Sequence, residues 1–249
     1  MNMNNLNNNI SNLNESPLGF GHSRRRTFYD REAFDFTIGK ILGDGHINKK
    51  NQLEIDQKQL EYTQWNQQQT RRLGLSSDNA TITMAKRRRL NKETLEYTHH
   101  TSHRCYSSAL FKEFRQTFYV LKQPSDPTYG RGSDYRKCYP EELRNWLTNP
   151  RSLAVFYMDD GGIQQQSAYF STGEVSTEEV LFLKDILETN FGLEFTVCRA
   201  AQEQESDTFV YRGLLLRRKS REQFFNLVAP TVLEVPCMRY KLDFITGNS

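Results

Sequence analysis

Leu153-Ala154-Val155-Phe156-Tyr157-Met158-Asp159-Asp160-Gly161-Gly162 is an apolar run that ends abruptly in two carboxylates and two glycines. An earlier stretch, Ile38-Gly39-Lys40-Ile41-Leu42-Gly43-Asp44-Gly45, has the same shape. Small residues among large apolar ones let two helices approach closely, and glycine after the last turn is a common helix stop. An Asp at that end faces the negative pole of the helix dipole, where cations are preferred. A single Asp-Gly would mean little, because the dipeptide also marks hairpin turns. Two of them, each closing a similar helix, suggest a paired acidic site whose repulsion a divalent cation offsets. Aligned on Asp-Gly, Asp44 matches Asp160 and Gly43 matches Asp159, 116 residues apart in each case. Helical neighbours point about 100° apart, so Asp159 and Asp160 cannot face one axis equally well. Asp160 has a symmetry mate and Asp159 has none, so Asp159→Asn is expected to be the milder change.

The chain has 249 residues, enough for one large domain or two small ones. Its mean hydropathy of −0.74 is polar, but 16 Phe and 12 Tyr supply large side chains for compact cores. Net charge is +3 and the basic residues cluster, as in Lys86-Arg87-Arg88-Arg89 and Arg217-Arg218-Lys219 with Arg221. Such clusters fit nucleic acid, although each alone also reads as a solvated face. Cys105, Cys138, Cys198 and Cys237 are widely spaced, which argues against a zinc site or a disulfide framework. His99 and His103 on one strand would stand about 13 Å apart, too far to share an ion. No apolar run reaches the roughly 18 residues of a membrane span, so no membrane partner is expected. Residues 1–31 are Asn-rich and read as a disordered leader with Arg24-Arg25-Arg26 near its end.

From Glu32 the chain alternates helical and strand periods. A helix over 33–43 is followed by two strands within 45–58, with Leu53 and Ile55 alternating with polar residues. Residues 60–73 form a helix stopped by Gly74, and 81–89 with 94–103 form a hairpin. Residues 106–120 read as an amphipathic helix with Leu110, Phe111, Phe114 and Phe118 on one side. A polar Gly/Pro-containing segment, 123–134, precedes a short helix from Pro140 to Leu147. The plan then repeats: helix 153–160, a strand at 168–171, a helix opened by Ser176 and stopped by Gly192, and strands at 193–200 and 209–216. A helix over 221–228 bounded by Pro230 and a short helix after Pro236 finish the chain. Each half, 32–150 and 151–249, therefore reads helix, two strands, helix, two strands, helix, an α+β architecture. The first hairpin of the second half is the faintest signal. Trp65 and Trp146 read as core anchors.

A duplicated αββαββα chain with two Asp-Gly helices resembles the LAGLIDADG homing endonucleases in their two-motif, single-chain form. The second motif, Leu153 to Gly162, is the more specific match, and the first suits a common variant. Lys137, in Tyr135-Arg136-Lys137-Cys138-Tyr139-Pro140, and Lys241, in Val235-Pro236-Cys237-Met238-Arg239-Tyr240-Lys241-Leu242, are similar to the paired basic residues near that family's active sites. They follow their acids by 93 and 81 residues. The likeness covers roughly residues 32–246.

The resemblance implies that the two motif helices pack along a pseudo-twofold axis and bring Asp44 and Asp160 together below the DNA minor groove. It implies Mg²⁺ at these acids, with the carbonyls of Gly45 and Gly161 completing the oxygen shell, and Lys137 and Lys241 countering developing charge. Mn²⁺ would substitute, and Ca²⁺ would support binding without cleavage. The partner implied is double-stranded DNA with a long, pseudo-palindromic target, cut by a monomer to leave short 3′ overhangs. The strands would form two saddles in the major groove, with Lys49, Gln52, Lys86, Arg88, Gln165, Arg199, Arg212 and Arg217 as base-reading candidates. An organellar origin, in mitochondrion or chloroplast, goes with the family. The competing reading is an RNA maturase that assists splicing of its own group I intron RNA. A DNA-binding regulator without cleavage is a third, disfavoured by the intact Asp44 and Asp160.

Overall fold

The computed structural model describes residues 30–90, 97–124, 133–172, 175–199 and 211–244, with 87–90, 199, 211 and 212 described by backbone alone. Arg24 to Arg26 and the rest of the expected leader up to residue 29 lie outside the described residues, as do 91–96 and most of the 123–134 segment.

Two helices carry the Asp-Gly motifs. Helix α1 (Arg31–Leu42) starts at Asp30, whose carboxylate accepts the Glu32 N–H, and all its residues from Ala33 to Leu42 are buried. The second motif helix, α5 (Pro150–Asp160), starts at Asn149, with Pro150 preset for the first turn. The two pack against each other along their length. The small residues permit this. A Cβ at Gly39 would lie 2.6 Å from the Ser152 carbonyl oxygen and 2.7 Å from Val155 Cβ, and one at Gly43 would lie 2.6 Å from Asp159 Oδ2.

Each motif helix leads into a four-stranded antiparallel sheet. In the first half, β1 (His46–Ile47), β2 (Leu53–Gln57), β3 (Thr83–Leu90) and β4 (Tyr97–Tyr106) lie in the order β1-β2-β4-β3. In the second, β7 (Gly161–Gln164), β8 (Ser167–Ser171), β9 (Phe195–Arg199) and β10 (Tyr211–Leu216) lie in the order β7-β8-β10-β9. The identical order is the pseudo-twofold made visible. Helix α2 (Leu60–Arg72) backs the first sheet and α6 (Thr177–Phe191) the second. A full capping box between Ser176 and Glu179 opens α6, and Gly192 closes it at φ +65°. The faint hairpin of the second half is real. Gln165 and Gln166 both take positive φ, which a two-residue turn between strands requires.

Three local expectations change. The 106–120 segment is not one helix: α3 is short (Lys112–Phe118). The preceding Ser107 and Ser108 instead satisfy neighbouring strand and loop backbone, through Leu53 N–H to Ser107 Oγ and Ser108 N–H to the Leu75 carbonyl. A small hairpin that the sequence did not announce, β5 (Tyr119–Leu121) with β6 (Tyr135–Lys137), then flanks the polar segment. The short helix α4 (Leu143–Trp146) leads into α5. Last, α7 (Arg221–Val232) runs through Pro230 instead of stopping before it. Proline there forfeits a single helical N–H in the final turns, a loss the buried Val228, Ala229 and Val232 outweigh. Residues Pro236–Leu242 form a 3-10 turn packed on α7. Trp65 and Trp146 are both buried. Among the described residues no helix is long and apolar enough to cross a membrane.

Candidate active site at the ends of the motif helices

The site is built where α1 and α5 end together. Asp44 follows the last turn of α1, and Asp160 is the last residue of α5. Asp160 is half-buried, and desolvation there pushes its carboxyl up to about 7, with repulsion from Asp44 and Asp159 adding to the effect and Lys137 and Lys241 opposing it. Two acids are thus held closer than water alone would favour.

Lys137 and Lys241 stand beside them. Strand pairing of Tyr119 with Lys137 sets the first. Its neighbour Arg136 grips both oxygens of Glu179, at 3.0 and 2.9 Å, tying β6 to α6. Lys137 Nζ donates to the Gly43 carbonyl at 2.6 Å, just past α1. Lys241, on the 3-10 turn, donates to the carbonyls of Tyr157 (3.2 Å), Met158 and Gly161 (2.8 Å) at the end of α5. Each amine therefore holds the terminus of one motif helix, where the dipole is negative. Burial lowers the pKa of both lysines, while Asp44, Asp159 and Asp160 pull the other way.

Asp159 has a different place. Its side chain is inaccessible to solvent and forms an ion pair with the equally inaccessible Lys40, 2.7 Å away. Tyr62 Oη and Gln57 Nε2 donate to the same oxygen at 2.7 and 3.1 Å, and the Asp44 N–H donates to the other at 3.2 Å. Its lack of a symmetry mate therefore does not leave Asp159 idle: its carboxylate joins α5 to α1, α2 and β2. Burial raises the Asp159 carboxyl, and the Lys40 ammonium pulls it back down. Lys40, Gln57 and Tyr62 were not singled out by sequence reasoning. A lysine inside Ile38-Gly39-Lys40-Ile41-Leu42 was the available signal, because a cation in a buried helix needs a partner.

The base-reading candidates scatter. Lys49 is exposed in the β1–β2 turn. Gln52 is engaged in shaping that turn, donating to the Ser107 carbonyl and accepting from Asn48. Lys86 pairs across from Thr101, three residues from Arg104, and so lies on the opposite sheet face from Arg104. Arg104 binds Asp56 at 2.7 Å on the half-exposed face. That face opens onto a cavity of about 800 Å³ lined by Asp44, His46, Gln57 and His100. Gln165 forms the β7–β8 turn, and Arg217 is exposed at the end of β10, 3.5 Å from Glu194. Arg88 and Arg199 are fixed by backbone register, opposite His99 and Tyr211. Arg212 falls at an irregularity between Tyr211 and Gly213. The side chains of Arg88, Arg199 and Arg212 lie outside the described residues.

Among the described residues no three His, Cys, Asp or Glu side chains form a ready-made metal cage. Hard oxygen donors are nonetheless concentrated here. The Asp44 and Asp160 carboxylates and the Gly45 and Gly161 carbonyls suit Mg²⁺ or Ca²⁺ chemically. The Gly161 oxygen already accepts one hydrogen bond from Lys241 and keeps its second lone pair.

The sequence is 30% identical over 112 residues to the probable intron-encoded endonuclease 1 of Wickerhamomyces canadensis, covering 42% of this chain and 44% of that protein. It is 29% identical over 102 residues to the intron-encoded endonuclease ai4 of Dictyostelium discoideum, covering 41% and 58%. It is also 29% identical over 106 residues to the cytochrome b mRNA maturase bI2 of Saccharomyces cerevisiae, covering 43% and 23%. The matches thus span about a quarter to somewhat over half the length of these relatives. In fold, the chain is similar to the homing endonuclease I-WcaI bound to its DNA recognition sequence. The TM-score is 0.62 at 22% identity, over 90% of this chain and 95% of that one. A family model for LAGLIDADG DNA endonucleases matches residues 34–213, a span that includes Asp44, Lys137 and both Asp159 and Asp160, and the chain belongs to that family.

Proposed function

We propose that this protein is a site-specific endonuclease that cuts both strands of a long, pseudo-palindromic DNA target with divalent cations, leaving short 3′ overhangs. The observation that carries this reading is the pairing of Asp44 and Asp160 at the ends of the two packed helices, with the half-buried Lys137 at one helix end and the buried Lys241 at the other. Asp44, Asp160 and the carbonyls of Gly45 and Gly161 would hold Mg²⁺, with Mn²⁺ able to replace it and Ca²⁺ supporting binding alone. A bound divalent cation supplies charge that offsets the developing negative charge on the scissile phosphate.

The chain's own groups do the rest. The Lys137 and Lys241 ammonium groups face the same charge, and their backbone partners already fix them, so little reorganisation is needed at the moment of reaction. Burial loosens the Lys137 proton, and that amine, with one N–H given to the Gly43 carbonyl, can deliver another towards the leaving 3′-oxygen, whereas Lys241 spends its N–H groups on the carbonyls at the end of α5 and acts through its charge. The two four-stranded sheets provide saddles for the two half-sites. Both motif helices come from one chain, which supports action as a monomer. The intron-encoded relatives support an organellar intron origin.

A second reading is maturase activity on the intron's own RNA, supported by the match to a maturase over 43% of the chain. Incubation with a plasmid carrying the uninterrupted insertion locus, with and without Mg²⁺, separates the two. Linear product only with metal is expected. Full cleavage in excess chelator would refute the metal-dependent mechanism. Absence of cleavage together with tight, specific binding of the intron RNA would favour the maturase.

A further inference from the structure

We propose that Asp159 is a positioning residue for Asp44 alone, so that the two strand cuts depend on unequal machinery. The proposal rests on the endonuclease reading above.

Asp159 belongs to the second half's helix, yet the hydrogen bonds to its carboxylate come from the first half. Oδ1 accepts from Lys40 Nζ, Tyr62 Oη and Gln57 Nε2, and Oδ2 accepts the backbone N–H of Asp44. That N–H lies past the last turn of α1, in the stretch that must otherwise find its own partner. The Gln57 amide also reaches Asp44 Oδ2 at 3.2 Å. Asp159 therefore fixes the main chain of Asp44 directly and its carboxylate through Gln57.

Among the described residues the other half has no such clamp. The 116-residue offset puts Gly43 where Asp159 would be and Phe156 where Lys40 would be. Strand register, His46 opposite Glu54 and Gly162 opposite Tyr169, puts Thr172 in place of Gln57. Thr172 is 6% exposed, and its hydroxyl has no hydrogen-bond partner among the described residues. Asp160 is thus left to the end of its own helix, while Asp44 is held from across the axis.

The test exploits an asymmetry of asparagine. The carboxylate serves four donors, three on one oxygen and one on the other. An amide keeps one acceptor oxygen, which the Oδ1 donors claim, and turns its NH₂ towards the Asp44 N–H. Asp159→Asn thereby releases Asp44 at unchanged size. Combining it with Lys40→Met removes the stranded ammonium and restores the fold.

The substrate is a duplex recovered by the protein itself from a randomised library in Ca²⁺, then end-labelled on each strand in turn. In K40M/D159N the melting temperature in chelator and the Ca²⁺-supported DNA affinity are expected near wild type. Nicking of one strand should slow at least about tenfold more than nicking of the other, the scale on which small misplacements act. Tyr62→Phe, which removes one donor without stranding a charge, should bias the same strand more weakly. Equal slowing of both strands, or recovery of wild-type rates in the double variant, overturns the inference. An unfolded double variant with an unbiased Tyr62→Phe does the same. A wild-type protein that binds the selected duplex and cuts neither strand overturns the endonuclease reading itself, and this inference with it.

Discussion

Asp160→Asn should remove a large part of the pH dependence of stability that the metal-free protein shows below neutrality. The Asp160 carboxyl titrates near 7 in the fold against an ordinary 3.8. Between those values the unfolded chain has lost the proton and the folded one retains it, so stability falls as pH rises from about 4 to about 7 and is flat above. A gap of about three pH units corresponds to roughly 4 kcal/mol. For a chain of this size that is a melting-temperature change on the order of 10 °C. Divalent cations bind the ionised form and compete with the proton, so stabilisation by Ca²⁺ should be small at pH 5.5 and large at pH 8. The assay is thermal unfolding in chelator and in Ca²⁺ across that range, for wild type and Asp160→Asn. Burial also raises Asp35 and Asp159, and both contribute in the same direction, so the decisive quantity is the difference between the two proteins. A wild-type slope that survives unchanged in Asp160→Asn would refute the reasoning. So would Ca²⁺ stabilisation that is independent of pH.

Four further outcomes follow from the same geometry. Gly39→Ala drives a methyl into the Ser152 carbonyl and Val155, which cannot retreat, and should cost about 1–3 kcal/mol in urea unfolding. Gly162→Ala, which meets open space, should cost far less. Lys40→Met alone strands the buried Asp159 and should destabilise by about 3–5 kcal/mol in denaturant titration, a loss that Asp159→Asn in the same chain reverses. Lys137→Met and Lys241→Met should both slow cleavage in single-turnover assays while Ca²⁺-supported binding persists. Lys241→Met should also lower the melting temperature more, because its amine satisfies several α5 carbonyls and that of Lys137 satisfies one. Binding to DNA should weaken with salt at a slope of about −0.9 per phosphate contact, and a nearly flat plot would reject an extended interface.

The motif helices were legible because two independent signals coincide in them, small residues within apolar runs and an Asp-Gly stop. The packing of Gly39 on Val155 is the physical content of the first. The repeat was legible because each hairpin and helix follows its own period, down to the Ser176–Glu179 cap. The β5–β6 hairpin was not, because three-residue strands carry no period to read and their pairing spans a long connection. Nor were the sheet faces. Burial sets which side of β3 Lys86 occupies, and a cluster of four basic residues looks the same from either side.

Lys40 and Asp159 show why the heart of the site was only half legible. Each violates the internal symmetry singly: a cation where the other helix has Phe156, an anion where the other has Gly43. Read one at a time, both look expendable, since a symmetric site needs neither. In an isologous dimer any contact across the axis occurs twice, with the same residues on both sides. A Lys–Asp clasp would then place two lysines and two carboxylates around one axis, four buried charges beside Asp44 and Asp160. A single chain escapes that constraint, because one half carries the lysine and the other the carboxylate. The two departures from symmetry form a single ion pair, whose desolvation is offset by their mutual contact and by three further hydrogen bonds to Asp159. Joining two copies of a motif in one chain thus permits a buried contact that ties the two halves together and holds Asp44 from across the axis, at the cost of one added negative charge beside Asp160.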